Sequence, residues 1–122
     1  MPNKRMNKTI AGYHLLMILS AVDFRISGEE DMVIRQYLVT EFPIHVNLDR
    51  QMEVISRLKP DEWENHFRKA MDDFYDDATE EERKHLIRFA LLLAKADNVI
   101  TKEENYYLNL LFEHWGVEAQ HP

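Results

Sequence analysis

Apolar residues run almost without a break from Tyr13 to Val22 and again from Ile87 to Ala96. Between and after these runs, apolar positions recur at three- and four-residue spacing. That spacing places them on one face of a helix. A first helix is expected from Thr9 to Val22. Ile10, Tyr13, Leu16, Met17, Ile18 and Leu19 leave it little polar face, so it should be central and buried. A second is expected from Ser27 to Phe42, with Val33, Ile34, Tyr37, Leu38 and Phe42 as its stripe. Pro43 ends it, because the residue before proline avoids the α region.

Asn47 can cap a third helix, with Leu48, Met52, Ile55 and Leu58 on one side. Pro60 suits the first position of a fourth, where its missing N–H costs nothing. Trp63, Phe67, Ala70, Met71, Phe74 and Ala78 form that helix's inner face, opposite Glu64, Arg68, Asp72 and Asp76. Thr79-x-x-Glu82 is a capping box that opens a fifth helix. A sixth begins at Thr101, carries Leu108, Leu111, Phe112 and Trp115 inward, and stops at Gly116. No strand-like alternation of useful length interrupts the series. The expectation is an all-α fold: one domain over 1–122, a compact bundle of about six helices with the first and fifth at its centre. The polar, basic leader, residues 1–8, is expected to be disordered.

The two apolar runs end in the same way. Asp23-Phe-Arg-Ile26-Ser27-Gly-Glu29-Glu30 recurs 74 positions later as Asp97-Asn-Val-Ile100-Thr101-Lys-Glu103-Glu104. Over residues 13–38 and 87–112, five of 26 positions are identical. Ser27-x-x-Glu30 and Thr101-x-x-Glu104 are capping boxes, and the isoleucine before each can plug the corner into the core. The repeat therefore reads as a duplicated helix-turn-helix corner. The carboxylates also resemble the back half of a calcium loop. The front half is missing: the first and third ligand positions fall on Leu93 and Lys95 in one copy and on Leu19 and Ala21 in the other. A standard EF-hand is excluded. A site shared between the corners, with Asp23, Glu30, Asp97 and Glu104 supplying oxygens to a divalent cation, remains an alternative. No other cofactor is expected.

Composition narrows the function. The net charge is −7. Residues 61–82 hold ten acids against two bases, so the rest of the chain is close to neutral. Such a chain repels phosphates and is not expected to bind nucleic acid. Asp72, Asp73, Asp76 and Asp77 repeat at i, i+4 on the fourth helix, where like charges repel. They are the candidate contact for a basic protein partner, with a solvated helix face as the simpler reading. Cysteine is absent, which removes disulfides and sulfur-based zinc sites. Neither apolar run reaches the roughly 18–20 residues needed to span a bilayer, so no membrane insertion is expected. The chain is expected to be cytoplasmic.

Six histidines are scattered without a His-x-x-x-His pair or a Glu-x-x-His array. His14, on the apolar first helix, is expected to be a hydrogen-bonded core residue. No nucleophile and base in a recognised order suggest catalysis, so no enzyme activity is expected.

The order apolar helix, Asp-x-x-Ile-Ser/Thr-x-x-Glu, amphipathic helix, met twice, resembles the TerB-like family. This family includes the tellurite-resistance protein TerB and the N-terminal domain of DjlA-type co-chaperones. The resemblance covers most of the chain and fits best from Lys95 to Trp115. It implies a bacterial all-α domain with an internal repeat, acting without enzyme activity as an interaction module linked to tellurite resistance or stress response. Of the acidic residues considered as metal sites in the family, it implies Asp23, Glu30, Asp97 and Glu104 here. Both corners lack the family's turn glycine.

Overall fold

A computed structural model describes residues 6–21, 28–42, 46–95 and 102–115. Among the described residues six α-helices make up the fold: α1 (Lys8–Ala21), α2 (Gly28–Glu41), α3 (Leu48–Ser56), α4 (Trp63–Asp77), α5 (Glu80–Lys95) and α6 (Lys102–Trp115). There is no strand among the described residues. The chain is thus an all-α bundle, as the periodicity requires.

Local chemistry sets the helix starts. Asn7 Oδ1 accepts the Ile10 N–H at 2.8 Å, so α1 begins at Lys8, one residue ahead of the expected start. Asn47 Oδ1 accepts from Arg50 N at 3.1 Å and caps α3 as expected. Pro60 does not open α4 directly. Pro60–Glu62 form a single tight 3₁₀ turn, closed by the Lys59 N–H on Glu62 Oε1 at 2.8 Å, and α4 follows from Trp63. The Thr79/Glu82 capping box is made in both directions: Glu82 N donates to Thr79 Oγ1 at 3.1 Å and Thr79 N to Glu82 Oε1 at 2.8 Å. The end of α4 is closed from outside, because the Arg83 guanidinium donates to the carbonyls of Tyr75 and Ala78 at 3.1 and 3.0 Å. Those carbonyls have no partner within their own helix, and a cation suits that end of the dipole.

Every residue of α1 from Ala11 to Ser20 is buried. The other five helices pack around it, as its all-round apolar character demands. Its principal neighbour is α4 rather than α5. Phe67, Ala70, Met71 and Phe74 of α4 are fully buried along it. Gly12 makes the approach close. A Cβ there would stand 3.2 Å from a methyl of Leu38 and 3.3 Å from the Phe74 ring. In contrast, α5 buries Leu86, Ile87 and Ala90 but leaves Leu92 69% exposed. The expected pairing of the first and fifth helices at the centre is therefore replaced by α1 and α4. The reason is geometric: α5 packs against α1 along one side, so only that side of its apolar run is buried.

Aromatic contacts lock the layers together. Phe74 stacks on Trp115 with centroids 5.3 Å apart, and Trp115 Nε1 donates to the Met71 carbonyl at 3.2 Å, tying α6 to α4. Tyr37 of α2 stacks on Phe89 of α5 at 4.2 Å. Such pairs add about 0.5–1.5 kcal/mol to the area they bury.

Candidate functional site

The four aspartates of α4 divide into two pairs with different surroundings. Asp73 is 7% exposed and accepts the Met6 N–H at 3.1 Å and the Lys69 ammonium at 2.6 Å. Asp77 accepts the Lys8 N–H at 2.9 Å. Both carboxylates therefore face the start of α1, where unpaired backbone N–H groups and the positive end of the dipole favour an anion. Lys8 continues the arrangement through a two-oxygen ion pair with Glu82 at 2.9 and 3.0 Å. Burial raises the Glu82 carboxyl, but hydrogen bonds from Lys8 and Thr79 outweigh it and leave the group below its usual value. As one four-carboxylate face open to a partner, the set does not hold together: Asp73 is buried, and Asp77, although exposed, is bonded to the start of α1.

Asp72 and Asp76 remain on the surface. With Tyr75 and His114 they line an open depression of about 340 Å³ between α4 and α6. Asp72 Oδ1 is paired with His114 Nε2 at 2.5 Å across the two helices. Tyr75 is 43% exposed, and Arg83 stacks its guanidinium 3.9 Å from the ring centroid. The depression thus presents carboxylates around an aromatic face. Those are groups that receive lysine or arginine side chains. The i, i+4 pattern of acids located this surface in part. His114 could not be assigned to it from spacing, because it lies 42 residues from Asp72 in sequence.

The corner carboxylates have a different standing. Asp23 and Asp97 lie outside the described residues. Glu30 and Glu104 fall within α2 and α6, but their side chains are also outside the described set. Among the described residues no group of three or more His, Cys, Asp or Glu side chains is gathered to hold a metal.

A second polar cluster lies inside the bundle. His14 Nε2 is 2.7 Å from Gln51 Oε1 of α3, and His14 Nδ1 is 2.6 Å from His66 Nε2 of α4. His14 is 2% exposed, as expected for a hydrogen-bonded core histidine. The Gln51 carbonyl takes the Nε2 proton, which leaves Nδ1 as acceptor for the His66 N–H. Burial, with the nearby Lys69 charge, holds both rings below the usual histidine range, His14 at about 4. At the preceding position of α1, Tyr13 donates to Asp31 at 2.7 Å, and Arg35 bridges Asp31 and Asp49 at 3.0 and 2.8 Å. Burial and the adjacent Asp31 carboxylate push the Tyr13 phenol up, so it remains a donor.

No family model, curated protein or solved structure matches the chain. No helix among the described residues is long and apolar enough to cross a membrane.

Proposed function

We propose that this chain is a non-enzymatic, TerB-like interaction domain that receives a basic segment of a protein partner on its α4–α6 surface. The observation that carries the reading is the depression lined by Asp72, Tyr75, Asp76 and His114. Its carboxylates are exposed, so a lysine or arginine entering it keeps much of its hydration while gaining charge contacts beside the half-exposed Tyr75 ring, on which Arg83 already stacks. Support for the TerB-like part comes from the repeat. The 74-residue offset of the sequence motif is also the offset of the helix boundaries: α1 and α5 end at Ala21 and Lys95, and α2 and α6 span Gly28–Glu41 and Lys102–Trp115. On this reading the cellular setting is a cytoplasmic tellurite-resistance or stress response.

The test is capture of partners from a bacterial lysate at low and high salt, followed by affinity measurement with the recovered protein. Charge reversal at Asp72 and Asp76 should abolish capture while leaving the far-UV circular dichroism and melting temperature unchanged. Raised salt should weaken capture, since exposed charges more than about 10 Å apart are screened at 0.1 M. Retention of the same partners by the Asp72→Lys, Asp76→Lys variant removes this surface from the proposal.

A further inference from the structure

α2 and α5 run antiparallel as neighbours. Glu41 meets His85 at 2.8 Å, and one turn away Tyr37 stacks on Phe89 at 4.2 Å. A further turn brings Val33 level with Leu92 and Leu93. There the seam stands open: Val33 is 49% exposed and Leu92 69%. From Met32 to Thr40, the exposed positions of α2 are Met32, Val33, Gln36, Val39 and Thr40, and none is charged. Arg35 borders them, held by Asp31 and Asp49. An uncharged, largely apolar strip on a chain of net charge −7 has the composition of an interface core.

The repeat shows what such a place holds. Across the 74-residue offset, Leu92 corresponds to Ile18, Val33 to Tyr107 and Gln36 to Leu110. All three counterparts are buried. Two of them lie against α4: Tyr107 packs edge-on to Phe67 at 4.9 Å, and Ile18 sits one turn beyond His14, whose ring meets His66. α4 thus bridges α1 and α6, whose counterparts are α5 and α2. No described helix takes the equivalent place outside α5 and α2, whose main neighbours are α1 and α6. The vacant seat suits a helix with an apolar stripe from another molecule.

We infer that this seat is filled by α2 of a second copy of the chain, in a two-fold dimer with Gln36 at its axis. Antiparallel pairing about that point sets Val33 against Val39 of the partner subunit and Met32 against Thr40 of the partner subunit. The two Gln36 amides each carry donors and an acceptor, so they can pair with each other. Because the strip is uncharged, two copies of an acidic chain meet there without repulsion. One contact covers the open face of both copies, so the assembly closes at two. α2 has 14 residues and offers a face about 21 Å long and about 10 Å wide. That is well below the roughly 800 Å² per partner of a standard interface. The dimer is therefore weak, with a dissociation constant on the order of 100 μM.

Sedimentation equilibrium of the full chain from about 10 μM to about 1 mM tests the dimer. The mass should rise from 14.6 kDa toward twice that and stop there. Raised salt should not weaken the association. Val33→Glu and Leu92→Glu should each weaken it about tenfold or more, with the melting temperature of dilute protein unchanged. Gln36→Glu and Gln36→Lys should each weaken it too, because like charges then meet across the axis. An equimolar mixture of those two should associate more tightly than either alone. The Asp72→Lys, Asp76→Lys variant should dimerise as the wild type does, which separates this contact from the α4–α6 surface. A chain that stays monomeric throughout overturns the dimer and leaves the seat to another protein. Growth beyond two copies, loss of association in salt, or a Gln36 mixture no tighter than its parents overturns it equally. If the variants do not fold, wild-type amide shifts on dilution decide: changes centred on residues 32–40 and 88–93 uphold the dimer, and changes elsewhere overturn it.

Discussion

Asp72 and Asp73 are adjacent in sequence and differ in every physical respect. Asp73 is buried, with a backbone N–H and an ammonium on its carboxylate. Removing it leaves both donors without that acceptor in a poorly hydrated place. Asp73→Ala should therefore cost about 1–3 kcal/mol in urea unfolding. Asp72 meets His114 at the surface, and Asp72→Ala should change stability by no more than about 0.5 kcal/mol. Gly12 poses the opposite problem, of too little space. Its missing side chain admits Leu38 and Phe74, so Gly12→Val should destabilise by about 1–3 kcal/mol through overpacking, read from the same unfolding curves. The sequence identified the aspartates as a charged group and placed His14 in the core. Helical spacing set Asp72 and Asp76 on the outer face but could not show that Asp73 is buried, because burial of a carboxylate depends on which chain segment passes beside it. Here that segment is the start of α1, more than 60 residues away.

At the level of helices, the duplication is clear in the boundaries and only partly kept in the burial. Ile18 and Leu92 occupy equivalent places in the repeat, yet Ile18 is 0% exposed and Leu92 69%. Ile18→Ser should unfold the protein or cost several kcal/mol, whereas Leu92→Ser should be nearly neutral. Thermal melting of the two variants compares them directly, and similar losses would contradict the peripheral position of α5. Caps were the most legible feature of the elements. The Asn47 cap and the Thr79/Glu82 box are made as their residue types predict, since both depend on contacts three residues apart. Thr79→Ala should cost about 1 kcal/mol. Glu82→Gln should cost more than the cap alone, because Glu82 also holds Lys8.

The bundle as a whole should weaken in acid through two successive windows. The buried His14 binds protons less readily when folded than when unfolded, so its contribution is intact above pH 6.5 and is lost as the pH falls toward about 4. Its full depression corresponds to about 3 kcal/mol, and about 2 kcal/mol of that should be gone by about pH 5. His66, also depressed, adds loss of the same sign. Glu82 is held below its ordinary 4.5, so its contribution disappears only at lower pH. Urea unfolding followed by the fluorescence of Trp63 and Trp115 at a series of pH values should show the histidine window first. A stability profile flat from pH 7 to 5 would contradict it.

The all-α class, the number of helices, most of their ends and the 74-residue offset of the helix boundaries follow from the sequence by itself. Each rests on spacing within a few residues: apolar positions on one helical face, a cap three residues from its partner, a proline that stops a turn. Three further features were decided by the tertiary structure: the pairing of α1 with α4, the split of the aspartates between interior and surface, and the joining of His14, His66 and Gln51. In each case the partners are brought together from distant parts of the chain by the burial of α1. The helix that must be covered on all sides determines what its neighbours touch, and local sequence carries no record of those neighbours.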